Sequence, residues 1–194
     1  MRIVIDGAHG AGKTTFLNGN LNDPFLPCVL KSRATIFSDL IGDSFQEGEE
    51  LNIVPPKNEQ DYWKIFEIIM KRGSEQFARG EGRNICWYDR GVHFINVIAQ
   101  MQNVTVPIDI QNKLNSITYD YVFVFDPIES YDFSNIHKHN CRSFSIHDRY
   151  ESVVMTLESY KKAGNKVFRV PVFSYALNEN YVRRMQFIKD IIIS

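Results

Sequence analysis

Short runs of apolar, β-branched residues alternate along the chain with longer stretches in which apolar residues recur at helical spacing. The short runs predict five strands, at residues 2–6, 27–31, 84–89, 121–126 and 166–170. Several are apolar almost throughout, which is typical of strands buried on both faces of a parallel sheet. The longer stretches predict helices at residues 13–20, 34–45, 59–79, 92–101, 145–163 and 179–192. This alternation predicts right-handed crossovers and a three-layer α/β/α sandwich built on a five-stranded parallel sheet.

Residues at the ends of these segments support the boundaries. Asn58 is a typical N-cap, and Ser145 with Asp148 three residues later fits a capping box. Gly80 and Gly164 follow predicted helices, at positions where a left-handed backbone is favoured. The predicted helices therefore have local support at both kinds of end.

The 194 residues contain no repeat, no low-complexity linker and no shift in composition. The sequence therefore predicts a single domain covering residues 1–194. Ligands of parallel α/β sheets bind beyond the carboxyl ends of the strands. The residues that follow each predicted strand are thus the first candidates for a functional site.

The first predicted strand runs into a glycine-rich loop. Residues 7–14 match the phosphate-binding pattern GxxxxGK[ST] in full, between a strand and a helix as the pattern requires. Glycines let consecutive N–H groups point at phosphate oxygens, Lys13 reaches the β- and γ-phosphates, and the Thr14 hydroxyl is a ligand for Mg²⁺. A chance match in a glycine-rich turn is the alternative, and the flanking strand and helix argue against it. The predicted cofactors are ATP and Mg²⁺, and the predicted nucleotide-binding residues are Gly7, Ala8, His9, Gly10, Ala11, Gly12, Lys13, Thr14 and Thr15.

The opening of the chain, Ile3-Val4-Ile5-Asp6-Gly7, resembles the start of deoxynucleoside kinases and thymidylate kinases, with an acid directly before the loop. It also resembles ribosylnicotinamide kinases and related single-domain AAA-type ATPases. The resemblance is patchy but spans most of the chain. It implies the P-loop NTPase fold and an ATP-dependent phosphotransferase.

A second strand end carries a charged pair. The third predicted strand ends in Asp89 and Arg90, and this resembles the acid–arginine pair at the same position of those kinases. The resemblance implies that Asp89 is either the general base on the acceptor hydroxyl or a partner of Mg²⁺, and that Arg90 clamps a phosphate. An ordinary surface ion pair is the alternative. Gly91 departs from thymidylate kinases, in which tyrosine commonly follows the pair.

Two further regions bear on the acceptor. Arg33 follows the second predicted strand, where the ribosylnicotinamide kinase group often has an arginine. The resemblance implies a contact with an acceptor phosphate, and a plain surface arginine is the alternative. In thymidylate-like kinases the helix matching residues 59–79 lines the base pocket, which implies that Trp63 or Phe66 stacks on the acceptor base. Core packing is the alternative for such an aromatic stripe.

Residues 132–142 are polar, basic and irregular, and they predict a lid that closes over the phosphates. Arg142, just before the next predicted helix, resembles the lid arginine of the kinase group. The resemblance implies that this arginine stabilises the charge on the transferred phosphoryl group. Together with Lys13, Asp89 and Arg90, it completes the predicted catalytic set.

Composition narrows the range of partners. The 22 basic and 23 acidic residues nearly cancel, so no field of one sign is available for a long polyanion and nucleic acid is disfavoured. The three cysteines are widely spaced without a CxxC pair, which predicts reduced thiols. No apolar stretch approaches the roughly 20 residues of a membrane helix, and the few residues before the loop leave no room for a signal peptide. We therefore expect a cytoplasmic protein, and the sequence leaves a homodimer open.

The sequence thus predicts transfer of the γ-phosphoryl group of Mg·ATP to a small-molecule acceptor, a nucleoside or nucleoside monophosphate. The resemblance favours thymidylate-like acceptors. Two alternatives stay open: an ATPase or nucleotide switch that regulates a partner protein, and a kinase acting on nucleic acid ends or bases. A GTPase is disfavoured, because no [NT]KxD segment for guanine recognition follows the fourth predicted strand.

Overall fold

The computed structural model describes residues 1–20, 34–129 and 145–193. Its centre is a sheet of five parallel strands in the order β2-β3-β1-β4-β5. The central strand β1 is buried on both faces, as its uninterrupted apolar sequence predicts. The predicted five-stranded parallel sheet is confirmed. The strands are β1 Arg2–Gly7, β2 Ala34–Phe37, β3 Ile85–Asp89, β4 Tyr121–Phe125 and β5 Val167–Val170.

Helices cover both faces of this sheet, so the predicted three-layer architecture is also confirmed. On one face, Ile3 and Ile5 pack with Phe16 of the first helix and Ile188 of the last. On the other face, residues of β1 and β4 pack against Val153 of the sixth helix. The described helices are α1 Lys13–Asn20, α2 Leu40–Glu50, α3 Glu59–Arg79, α4 Phe94–Gln102, α5 Ile108–Ser116, α6 Ile146–Lys162 and α7 Leu177–Ile193.

Three of the four predicted helix-end features are confirmed. The Asn58 side chain accepts a hydrogen bond from the backbone N–H of the third residue of α3, and Ser145 and Asp148 form a complete capping box at α6. Gly164 has a φ of 79°. The prediction for Gly80 is wrong, because its backbone is right-handed, with a φ of −82°. A Cβ at Gly80 would lie 2.8 Å from the Tyr88 hydroxyl, so close packing against β3 explains the glycine instead.

The region around β2 differs from the sequence prediction. The strand predicted at 27–31 lies outside the described residues, and β2 is found at Ala34–Phe37, within a segment predicted as helix. The helix begins only at Leu40, after the carboxylate of Asp39 accepts hydrogen bonds from the two N–H groups of Ile41 and Gly42. The first acidic residue after the second described strand is therefore Asp39. A further helix, α5, was not predicted and begins directly after Pro107.

In the described part of the chain, the helices are all too short or too polar to cross a lipid bilayer.

Candidate active site

The loop after β1 has the backbone that a phosphate-binding loop needs. Its glycines Gly7, Gly10 and Gly12 have φ values of 129°, 70° and 79°, which other residues rarely adopt. Gly7 also lies directly against the backbone of Phe125 on β4, so that even a methyl group would overlap the Phe125 carbonyl oxygen. Helix α1 begins at Lys13 and brings its N-terminal N–H groups to the same place. Strand, loop and helix therefore form one anion-binding unit.

Lys13 lies folded back onto this loop. Its Nζ donates to the carbonyl oxygens of Gly7 at 3.2 Å and Ala8 at 2.9 Å, and the side chain is buried. Burial and the nearby charge of Arg90 lower the pKa of Lys13 to about 8, while the carboxylate of Asp89 acts in the opposite direction. A polyphosphate bound in the loop would stabilise the charged ammonium group.

The hydroxyl of Thr14 connects the loop to β3. Its Oγ1 donates to Oδ2 of Asp89 at 2.8 Å. The other carboxylate oxygen, Oδ1, is buried and has no hydrogen-bond partner among the described residues. Burial raises the pKa of Asp89, and the charge of Lys13 opposes that effect. A hydroxyl and a carboxylate with an unused oxygen are the hard oxygen ligands that Mg²⁺ prefers, so these two residues fit the predicted metal.

Within the described ranges there is no group of three or more His, Cys, Asp or Glu side chains that could hold a metal ion. Mg²⁺ in phosphoryl-transfer sites is typically held by one or two protein oxygens, waters and the phosphates themselves. The pair formed by Thr14 and Asp89 is consistent with that kind of site.

Arg90 is held in an unusual conformation beside the loop. Its φ is 66°, which is uncommon for a residue other than glycine. The guanidinium group is buried over the ring of Phe94, at 4.3 Å from the ring centroid. Its Nη1 lies 3.6 Å from Asp6 and its Nε lies 3.7 Å from Asp39, and neither nitrogen has a hydrogen-bond partner among the described residues. Each of these two buried N–H groups thus faces a carboxylate at ion-pair distance without forming a hydrogen bond to it.

Asp6 supports both the loop and Arg90 from below. The carboxylate is completely buried, accepts from the N–H of Gly7 at 2.7 Å through Oδ1, and accepts from the hydroxyl of Tyr160 at 2.7 Å through Oδ2. Burial raises the pKa of Asp6, whereas the charges of Arg90 and Lys13 oppose this effect. Tyr160 belongs to α6. This one carboxylate therefore contacts the loop, the residue that follows β3, and a helix that packs on one face of the sheet.

We expect Tyr160→Phe to lower the free energy of unfolding by about 1.5–3 kcal/mol, because it removes a buried hydrogen bond to a carboxylate. Urea denaturation followed by circular dichroism measures the change. Tyr121→Phe is the matched control, since no hydrogen bond of its hydroxyl is found in the described structure, and it should change stability by less than about 0.5 kcal/mol. Equal effects of the two substitutions would contradict the role of the contact with Asp6.

The structure describes two of the other residues that were predicted to contact the phosphoryl acceptor, Phe66 and Trp63. Phe66 has no solvent exposure and belongs to the core between α2, α3 and α4, so the predicted stacking on a base is corrected to core packing. Trp63 is partly buried, and its Nε1 donates to the carbonyl of Thr105 at 2.8 Å. Arg33, Arg142 and the predicted lid at 132–142 lie outside the described residues.

Sequence reasoning missed Asp39 and gave Tyr160 no role. Asp39 is partly exposed, at 43%, and lies beside Arg90 at the carboxyl end of β2. An acid that caps a helix after a short apolar run was a usable signal for it. For the contact between Tyr160 and Asp6 no local signal exists, because the two residues are 154 positions apart.

Comparison with known proteins places this geometry in a family. The profile of the AAA domain family matches residues 2–177. No curated protein matches the chain. Among solved structures, deoxyadenosine kinase from M. mycoides with bound dATP is 15% identical at a TM-score of 0.59, with 100% of both chains covered. Thymidylate kinase from Ehrlichia chaffeensis is 13% identical at a TM-score of 0.60, with 98% of both chains covered.

The NadR protein in complex with NAD and AMP-PNP is 15% identical at a TM-score of 0.62. The match covers 97% of this chain but 48% of NadR, so this chain spans about half the length of that protein. Such identities establish a shared fold, and the fold is the one that the resemblance implied. Because the family profile runs from the strand that enters the phosphate loop to the first residue of α7, this chain belongs to the AAA domain family.

Proposed function

We propose that the protein transfers the γ-phosphoryl group of Mg·ATP to a nucleoside or nucleoside monophosphate. The observation that carries the proposal is the contact between the two strand ends. Thr14 of the phosphate loop donates to Asp89 at 2.8 Å, and the guanidinium group of the next residue, Arg90, lies between the carboxylates of Asp6 and Asp39. A triphosphate held by the loop would have its terminal phosphate beside this acid–arginine pair.

The donor side uses residues 7–15. Backbone N–H groups of the loop and of α1 bind phosphate oxygens, and Lys13 exchanges its two carbonyl partners for the β- and γ-phosphates. Thr14 and Asp89 would hold the metal, Asp89 either directly or through a water. Mg²⁺ held there would supply positive charge that offsets the negative charge developing on the phosphate oxygens.

The acceptor side is built from carboxylates as well as Arg90. In the reaction, the acceptor O–H bond breaks and its proton passes to a carboxylate, while the acceptor oxygen forms a bond to the γ-phosphorus. The bond from this phosphorus to the bridging oxygen breaks, and its electron pair leaves with ADP. Asp89 is hydrogen-bonded to the proposed metal ligand Thr14, so in this proposal it also serves the metal. Asp39 lies partly exposed beside Arg90 and is the second carboxylate that can orient the acceptor hydroxyl.

Three further contacts belong to the proposal. Trp63 stacks on the acceptor base, Arg33 contacts an acceptor phosphate, and Arg142 of the lid at 132–142 stabilises the transferred phosphoryl group. Thymidylate-like acceptors are favoured by the sequence resemblance. The carboxylate of Asp39 beside Arg90 instead favours an acceptor that presents a neutral hydroxyl to this part of the site, because a second phosphate there would meet a negative charge.

A screen of nucleosides and nucleoside monophosphates for ADP release from Mg·ATP tests the proposal. We expect at least one acceptor to stimulate ADP release. Asp89→Asn should reduce the stimulated rate by about 10²-fold or more and raise the Mg²⁺ concentration needed for half-maximal activity, because it removes a charged metal partner.

Asp109→Asn, on the exposed surface of α5, is the matched control and should leave both quantities unchanged. Slow ATP hydrolysis that responds to none of the acceptors would overturn the kinase proposal and favour the nucleotide switch. Full activity of Asp89→Asn would overturn the proposed role of the strand-end acid.

A further inference from the structure

Helix α7 carries a buried arginine whose guanidinium group contacts the phosphate loop. Arg184 is 2% exposed. Its Nη1 donates to the carbonyl of Ala11 at 2.5 Å, its Nη2 to the carbonyl of Asp126 at 2.9 Å, and its Nε to the carbonyl of Pro171 at 3.1 Å. These carbonyls belong to the segments that follow β1, β4 and β5. One guanidinium group therefore joins three loops at the carboxyl edge of the sheet.

A second side chain of α7 holds the same region. Asn180 lies one helical turn before Arg184 and is buried, and its Oδ1 accepts from the N–H of Phe173 at 2.9 Å. The ring of Phe173 packs against Phe187 of the same helix, with 5.7 Å between the ring centroids. The inner face of α7 thus fixes the segment after β5 as well as the phosphate loop.

The buried charge of Arg184 is stabilised by directed contacts. Burial lowers the pKa of Arg184 to about 10, and the nearby charge of Asp126 opposes this effect. The hydrogen bonds that the side chain makes go to carbonyl oxygens, and its guanidinium group lies 4.6 Å from the centroid of the Phe125 ring. Burying a charged group is expensive, and here the three hydrogen bonds to carbonyl oxygens offset that cost. What an apolar side chain cannot do is orient three carbonyl groups.

Of the three carbonyl groups, that of Ala11 belongs to the phosphate loop itself. In a trans peptide the C=O and the following N–H point in opposite directions. Because Arg184 donates to the Ala11 carbonyl, the N–H of Gly12 in the same peptide points away from Arg184. Gly12 is part of the loop whose N–H groups are to bind phosphate oxygens, and it immediately precedes Lys13.

We propose that Arg184 is a positioning residue for the donor triphosphate, acting through the peptide between Ala11 and Gly12. The inference rests on the proposed function of the loop as the ATP site. Arg184 lies beyond residues 2–177, the part of the chain that matches the AAA domain family. The residue touches no reacting atom. Its role is to fix the conformation of the phosphate loop, which contacts the triphosphate.

Arg184→Met removes the three donors while keeping a long apolar side chain. We expect the Kd for Mg·ATP, measured by calorimetry on the full chain, to rise about 10- to 100-fold, as when a supporting partner of a binding group is removed. The KM for ATP should rise in parallel, whereas the KM for the acceptor should not change. Arg184→Lys keeps the charge and part of the hydrogen bonding, and it should fall between the wild type and Arg184→Met.

Two controls separate positioning from general destabilisation. Arg183→Met alters the neighbouring residue, which pairs with Glu179 on the exposed side of α7, and it should leave the Kd unchanged. Leu114→Ala truncates a buried side chain of α5 and destabilises the protein without touching the loop. All variants are measured at a temperature where circular dichroism shows them folded.

The outcomes are distinguishable. If the wild type binds no Mg·ATP, the proposed function fails and the inference fails with it. If the wild type binds and Arg184→Met binds as tightly, or is weakened no more than Leu114→Ala, the inference is overturned while the function stands. If Arg184→Met does not fold, Arg184→Lys decides: a Kd equal to that of the wild type, with equal values of KM for ATP, overturns the inference.

Discussion

Lys13→Met is expected to lower kcat/KM for ATP by about 10³-fold. The ammonium group belongs to the lysine that the loop pattern assigns to the β- and γ-phosphates, and it lies buried, where water cannot replace it. Removing one well-placed donor from a site that stabilises developing charge typically costs about 10²- to 10³-fold in rate. Because this lysine also binds the ground-state triphosphate, we place the combined effect at the upper end.

Steady-state kinetics with ATP as the varied substrate measures the loss, and calorimetry separates weaker binding from slower chemistry. Lys71→Met changes an exposed lysine of α3 and should behave as the wild type. If Lys13→Met bound and turned over Mg·ATP as well as this control does, the loop after β1 would not be the phosphate site.

Gly7→Ala is expected to lower the free energy of unfolding by more than about 3 kcal/mol, within the range of severe single substitutions. Gly7 pairs with Phe125 in the parallel register of β1 and β4. A Cβ would overlap the backbone oxygen of Phe125 and lie 2.8 Å from its backbone nitrogen, and a backbone group cannot turn aside as a side chain can. The φ of 129° adds conformational strain for any residue with a Cβ.

Gly82→Ala separates the two causes. Gly82 also has a positive φ, of 71°, but an added Cβ would meet nothing within 4 Å. We therefore expect Gly82→Ala to cost only about 1–2 kcal/mol, the price of the left-handed backbone alone. Chemical denaturation of both variants measures the difference. Equal losses at the two positions would show that contact with β4 does not determine the residue at position 7.

The strand–loop–helix arrangement around residues 7–14 and the position of the pair after β3 beside it were predicted correctly from the sequence. The phosphate loop is a run of eight residues. It contains both the glycines that its backbone conformation requires and the side chains that are predicted to bind phosphate and metal. The pair Asp89 and Arg90 was found because parallel strands end at the same edge, so the residues after β3 had to lie near the loop. Both predictions needed only short runs of sequence and the general rule that ligands bind beyond the carboxyl ends of parallel strands.

The segment around β2 was mispredicted because a short apolar run does not distinguish strand from helix. Ala34, Thr35 and Ile36 form a strand because the neighbouring β3 supplies hydrogen-bond partners in register. That partner is about 50 positions away in the sequence. Because residues 34–45 were predicted as helix, Asp39 was not recognised as a residue that follows a strand, and it was overlooked.

Arg184 and Tyr160 were missed for a different reason. Their partners, Ala11 and Asp6, lie 173 and 154 positions away, and no local pattern encodes such contacts. For Arg184 a weak signal did exist, since it shares a buried helix face with Ile188, where a charged residue is out of place. The aromatic residue Phe66 shows the opposite case, in which the plain interpretation as core was correct.

The left-handed backbone at Arg90 has a consequence for engineering. The other described non-glycine residues with positive φ are Asn52 and Asn103, and asparagine tolerates that conformation far better than arginine does. Glycine or asparagine at position 90 would relieve that strain, but it would leave the buried carboxylate of Asp6 without the guanidinium group 3.6 Å away and would empty the space over the Phe94 ring. Engineering for heat resistance is therefore expected to keep this arginine and its unusual backbone, because relief of the strain and the buried cation beside the phosphate loop cannot be had together.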